Sequence, residues 1–267
     1  MFKSFYYFIR LLVLQRNMIW SMAKREIARQ YMGSLLGFIW TFVNPVILVV
    51  VFWVIFSLGF RVQPAENVPF VVWLTCGMAA WFVFADMVNG SVGVVVSNAN
   101  LIKKTLLHSQ ILPIVKVVAS LITHSIFLSV LILLILFHRM PVNLYYLQFL
   151  YYLFAMTTLA LGIGWIGASL NVFIRDISHV VNVFIQVGFW ATPIFWNLEM
   201  MPPEIHGYLE LNPMFYIVQG YRDSFLYFVP FWERPYETLY FWAVAGSLFV
   251  FGALVFKRLK PHFADVL

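Results

Sequence analysis

Six stretches of this chain run almost without charge, and the short segments between them carry nearly all of its ionisable residues. The stretches lie at about 34-60, 68-96, 111-137, 144-174, 177-198 and 238-256. At about 1.5 Å per residue, each matches the roughly 30 Å hydrocarbon core of a bilayer. The pattern predicts an all-α membrane protein with a transmembrane domain of six transmembrane helices over 33-257. Pro45, a third of the way into the first stretch, is expected to bend it, and Pro193 to kink the fifth. Two charges interrupt the runs. Lys116, near the start of the third, is expected to snorkel back to the interface. Asp86, in the second, is expected near a helix end or uncharged, because intramembrane carboxylates are costly.

The segments outside the spans have patterns of their own. Within 1-32, Lys3, Arg10, Arg16, Lys24, Arg25 and Arg29 face a single acid, Glu26. Ile19, Ala23, Ile27 and Tyr31 recur every four residues, off the line of the cations. With Phe5, Tyr6, Tyr7, Phe8 and Trp20 nearby, this reads as an amphipathic interfacial helix. Residues 199-225 contain the pair Pro202-Pro203 and the uncharged block Leu211–Tyr221, which is too short to cross a bilayer. That arrangement predicts short re-entrant gate helices, tolerated at membrane depth only where protein or a water-filled cavity surrounds them. Residues 258-267 read as a tail.

Six crossings put both termini on one side. Thirteen of the 17 Lys and Arg residues fall on that side, and Arg61, Arg139, Arg222 and Arg234 on the other. Seven of the 11 acids share the second side. The positive-inside rule therefore puts the termini in the cytoplasm and the gate stretch outside.

Composition agrees with the pattern. Hydrophobic residues make up 63% of the chain and charged residues 10%, against about 25% charged in soluble domains. The net charge of +6 follows from topology and calls for no nucleic-acid partner. A single cysteine, Cys76, excludes a disulfide framework and a Cys-based metal site.

No phosphate-binding loop, HExxH or DxD motif is present, so no catalytic residue, metal or cofactor is assigned to the chain. Gly162-Ile163-Gly164-Trp165-Ile166-Gly167 matches GxGxxG but lies inside an apolar span after no strand. Gly164, Gly167, Ala168 and Ser169 read instead as small residues for close helix packing. One carboxylate, with His124 and His179, is too few groups for a proton relay. Trp40, Phe42, Trp53 and Phe56 in the first span, and Phe184, Phe189, Trp190, Phe195 and Trp196 in the fifth, are the candidate pathway aromatics. Their faces suit the apolar faces of sugar rings; interfacial packing accounts for them equally well. The short loops Ser97–His108 and Phe173–His179 lie between long spans, where a soluble partner can grip two rigid helices at once.

These residues resemble the permease subunits of type-2 ATP-binding-cassette exporters, in the group that exports O-antigen, capsule or teichoic acid. Arg25-Glu26, Arg29-Gln30-Tyr31, Ser34-Leu35-Leu36-Gly37-Phe38-Ile39-Trp40 and Pro45 are similar to its N-terminal motif. Gly77, Trp81-Phe82, Asn100-Leu101-Ile102-Lys103-Lys104 and Leu112-Pro113 resemble its second-loop motif. Arg175-Asp176, Thr192-Pro193-Ile194, Asn212-Pro213 and Arg222 resemble its C-terminal signature. Met32, Leu107-His108 and Thr192 depart from common family residues.

The resemblance implies a homodimer in the bacterial inner membrane, paired with two copies of a separate ATPase that holds the ATP and Mg. It implies ATPase-coupling positions at Asn100, Leu101, Lys103, Lys104, Arg175 and Asp176. Gate positions would be Pro193, Pro202, Pro203, Asn212 and Pro213. The substrate would be a polysaccharide on undecaprenyl diphosphate, with Arg25 and Arg29 meeting the diphosphate; the same arginines also suit anionic lipid headgroups. Two other readings stand beside it: an exporter of small lipophilic molecules, and a membrane enzyme acting on lipid-linked sugars through Glu199, Glu204 and Glu210.

Overall fold

The computed structural model describes residues 10–30, 32–62, 68–104 and 109–267. Among them, all regular structure is helical. Helix α1 (Arg16–Gln30) precedes α2 (Trp40–Trp53), which continues as a wider π-turn to Gly59. Then come α3 (Phe70–Ser97), the short α4 (Ala99–Lys104), α5 (Leu112–Phe137) and α6 (Phe149–Phe173). Helix α7 (Ile177–Ala191) is followed by two short helices, α8 (Pro203–Glu210) and α9 (Pro213–Arg222). Helix α10 (Pro235–Leu259) and a last turn, α11 (Phe263–Val266), close the chain. Among the described residues, five helical segments are long and apolar enough to cross a membrane: Trp40–Gly59, Phe70–Ser97, Ser109–Phe137, Leu144–Phe173 and Pro235–Val266.

The fifth uncharged stretch differs from its expectation. Its helix stops at Ala191 after 15 residues, about 22 Å at 1.5 Å each. The stop is dictated locally. A residue before proline is pushed out of the helical region, and Thr192 has φ −93°, ψ 135°. Pro193 therefore ends the helix instead of kinking it. The following chain, Thr192 to Trp196, is extended or bent, and every residue of it is buried.

Helix α3 is the centre of the fold. Of its 28 residues, 19 are buried, against α5, α6 and α9. Close approach depends on small residues, as the sequence predicts. A Cβ built on Gly252 of α10 would lie 2.3 Å from the Gly162 carbonyl oxygen of α6. Cβ atoms on Gly164 and Gly167 would collide with Ser91 and Val92 of α3. Helices α2 and α7 are the opposite case. Over Trp40–Gly59 the buried residues described are Thr41 and Val49, and α7 buries none.

Further details of the packing are set by the fold. The Ile19, Ala23 and Ile27 stripe of α1 packs on Ile111, Val115 and Ala119 at the start of α5, so it faces protein and not lipid. Lys116 does not snorkel. It is 4% exposed, and its Nζ lies 2.8 Å from Asp86 Oδ1. Asp86 sits well inside α3, where the ammonium and the Ser120 hydroxyl (2.6 Å) satisfy its carboxylate. The 258-267 tail packs back on the bundle. Phe263 is buried against Phe256 and beside Phe173, which closes the end of α6.

Candidate functional site

A cavity of about 560 Å³ opens between α1, α3 and α5. The four-residue spacing of Arg25 and Arg29 puts both on the face of α1 that borders it. Lys116 lines the opposite wall, with Asn98, Leu101 and Gln15 between. Glu26 also lines the cavity, and its Oε2 lies 3.3 Å from Arg29 Nη2. Three cations stand against two acids, Glu26 on Arg29 and Asp86 on Lys116, so a net positive charge remains to attract an anionic group, and guanidinium forks suit phosphate oxygens. The sequence marks the two arginines but not Lys116, because only the fold joins the third span to α1.

The aromatic candidates divide. Phe56 stacks on Phe195 at 4.5 Å between ring centroids, and Phe195 meets Phe189 at 5.5 Å and Trp190 at 5.0 Å. Phe52, Phe82 and Trp81 join this cluster. Phe52 escaped the sequence reading, and Trp81 and Phe82 entered it only through the family motif, because nothing in their spacing separates them from ordinary span residues. Trp196 is buried beneath the cluster and donates its indole N–H to the Trp190 carbonyl (3.2 Å). Trp40 stands apart, in a second cavity. Phe42, Trp53 and Phe184 point outward from α2 and α7.

The gate residues are built around helix starts. Asn212 caps α9, accepting from the Met214 N–H at 3.0 Å, and Pro213 follows at the first helical position. Pro202 precedes the exposed α8 without a side-chain cap, and Pro203 takes its first helical position. The Asn212 amide also donates to Thr192 Oγ1 at 2.7 Å, tying α9 to the buried segment after α7. Arg222, at the end of α9, donates to the Ile194 carbonyl at 2.9 Å and lies 3.5 Å over the Trp73 ring. Burial pushes its guanidinium down to about 10, so it stays charged at neutral pH. Asp223 is buried beside it and pairs with Arg234 at 2.8 Å. Burial pushes the Asp223 carboxyl up, against the pull of Arg234. Both Arg222 and Asp223 are thus interior groups and not the loop charges that a side-by-side count assumes.

The coupling positions lie at helix ends. Asn100 and Lys103 are exposed on α4, Leu101 is half-buried, and Arg175 and Asp176 are exposed between α6 and α7. The Lys104 side chain, Tyr31, Leu107 and His108 fall outside the described residues. Glu199, Glu204 and Glu210 are exposed, and among the described residues no cluster of His, Cys, Asp and Glu forms a metal site.

Five apolar helical segments long enough to cross a membrane, with a cavity bordered by Arg25, Arg29 and Lys116, make this a multi-pass membrane protein. The pattern of the ABC-2 type transporter family matches residues 17–226, and the chain belongs to that family. It is therefore a transport component and not an enzyme. The chain is similar to the O-antigen export system permease protein RfbA of Klebsiella pneumoniae, 27% identical over 91% of this chain and 92% of that one. It is 29% identical to RfbA of Myxococcus xanthus over 81% of this chain and 83% of that one. The polysialic acid transport protein KpsM of Escherichia coli is 24% identical over 79% and 82%.

Proposed function

We propose that this chain is the permease subunit of a polysaccharide exporter, moving an O-antigen-like polymer on undecaprenyl diphosphate across the cytoplasmic membrane. The observation that carries this reading is the similarity, over nine tenths of both chains, to a permease named for O-antigen export. ATP hydrolysis belongs to a separate subunit, which grips the loops holding Asn100, Leu101, Lys103, Lys104, Arg175 and Asp176. Both termini are cytoplasmic, and 177-198 is the fifth of six crossings, completed by the extended segment after α7. Residues 199-225 form the outer gate.

The chain works as a homodimer. Helices α2 and α7 are apolar yet bury almost nothing within one copy, which supports a second copy facing them. The cluster of Phe56, Phe189, Trp190 and Phe195 then borders the pathway, where stacking tolerates a sliding sugar chain. Arg25 and Arg29 receive the lipid diphosphate.

Gentle purification of the chain with its ATPase, weighed by native mass spectrometry, tests the assembly. A two-plus-two complex is expected, with the ATPase lost when Lys103, Lys104, Arg175 and Asp176 become Ala. A lone permease would overturn the reading.

A further inference from the structure

A second cavity, of about 380 Å³, lies between α2, α3 and α5 on the other side of the Asp86–Lys116 pair. Its volume falls within the range of about 300–1,000 Å³ typical of small-ligand sites. Three aromatic rings, Trp40, Phe82 and Phe127, form part of the wall. Polar groups converge from four helices: Gln30 from α1, Thr41 and Asn44 from α2, Asp86 from α3, Thr123 and His124 from α5.

Two of these polar groups are orphaned. Thr41 Oγ1 and His124 Nδ1 are buried and have no hydrogen-bond partner among the described residues, although His124 Nε2 reaches the Tyr221 hydroxyl at 3.1 Å. Both residues are more than nine-tenths buried. Pro45 adds a third demand. It has no N–H, so the Thr41 carbonyl lacks the partner that a regular helix would give it. Buried polar groups are rarely left unpaired, because each then bears its full desolvation cost. Asp86 has both carboxylate oxygens engaged but is 41% exposed at its side chain, leaving lone pairs open to the cavity.

The charge balance selects the ligand class. Lys116 neutralises Asp86, so the cavity offers neither a free cation nor a free anion. A wall of apolar rings facing a cluster of donors and acceptors fits a neutral ring that is apolar on its faces and hydroxylated at its edge. We propose that this cavity binds one pyranose residue of the exported glycan, the sugar next to the diphosphate. The ion pair is the shared wall between the sugar cavity and the cationic one, which suits a ligand whose phosphate and first sugar are neighbours. The inference rests on the export reading.

The test uses the full permease with its ATPase in lipid nanodiscs. Two probes are compared: a diazirine-bearing N-acetylglucosamine methyl glycoside, and the same sugar on undecaprenyl diphosphate. Photolabel should concentrate in the peptides holding Thr41–Leu48 and Ala79–Asp86. Thr41→Val keeps the shape and removes the hydroxyl, so labelling by both probes should fall about fivefold to tenfold, the worth of one hydrogen bond. Thr41→Ser should restore it. Replacing Arg25 and Arg29 with Ala should weaken labelling by the lipid conjugate alone. Free glycoside that labels these peptides no more than the other spans, or Thr41→Val that labels like the wild type, would overturn the site. Specific labelling without transport of lipid-linked polymer would keep the site and overturn the export reading.

Discussion

At the scale of single residues, two buried cations decide more than any surface charge. Arg222 joins α9 to the segment after α7 through the Ile194 carbonyl and the face of Trp73. A desolvated cation–π contact is worth about 2 kcal/mol, and a hydrogen bond from a charged donor about 1.5–3 kcal/mol. Arg222→Ala is expected to cost about 3 kcal/mol in thermal or denaturant unfolding in detergent, with Arg222→Lys recovering only part. Gly77 is the matching probe. Its Cβ would lie 3.0 Å from Arg222 Nη2 and 3.2 Å from the Ile194 carbonyl oxygen. Gly77→Val should therefore behave like the loss of Arg222, and the double variant should lose less than the sum. Lys116 behaves as a paired charge. Removing one member of a buried pair strands the other. Asp86 is partly open to a cavity, so Lys116→Met should cost about 1–3 kcal/mol, below the range for fully buried pairs. Combining Lys116→Met with Asp86→Leu should recover much of the loss. A double variant less stable than Lys116→Met would contradict the pairing.

At the scale of elements, the sequence is legible wherever one rule acts alone. The absence of charge over 144-174 predicts a span, and α6 with its leading turn fills Leu144–Phe173. Gly162, Gly164 and Gly167 announce close packing, and the neighbours meet them within contact distance. Gly252→Leu should separate α6 from α10 and cost about 1–3 kcal/mol by overpacking, read as a lower melting temperature. An unchanged melting temperature would show that these helices do not depend on contact at Gly162. Where two rules compete, the pattern is ambiguous. Residues 177-198 are apolar enough for a full helix, but the residue before Pro193 leaves the helical region, and local backbone sterics override the hydrophobic run. The stripe of α1 has the period of an interfacial helix. Periodicity cannot say whether such a face meets lipid or protein, and here it meets α5.

At the scale of the whole molecule, the five long helices and the family were written in motifs spread from Arg25 to Arg222. The functional cavities were not. Asp86 and Lys116 are 30 residues apart, and Trp40 and His124 are 84 apart; only the packed bundle makes them neighbours. The proposed dimer has a direct probe. Val183 lies outward on α7 and Leu133 outward on α5, while native Cys76 is buried. Val183→Cys should form a disulfide-linked dimer in oxidised membranes, and Leu133→Cys should not. Equal cross-linking at both would remove α7 from the dimer interface.

The central claim is export of a lipid-linked polysaccharide driven by a partner ATPase, and reconstituted transport tests it most directly. The permease and ATPase are placed in proteoliposomes with the ATPase facing outward, and fluorescent polymer on undecaprenyl diphosphate is supplied on the same side. The account predicts ATP-dependent loss of polymer from attack by an external glycosidase, abolished when Arg25 and Arg29 are replaced by Ala. Transport of a small lipophilic dye with no protection of the polymer would contradict it.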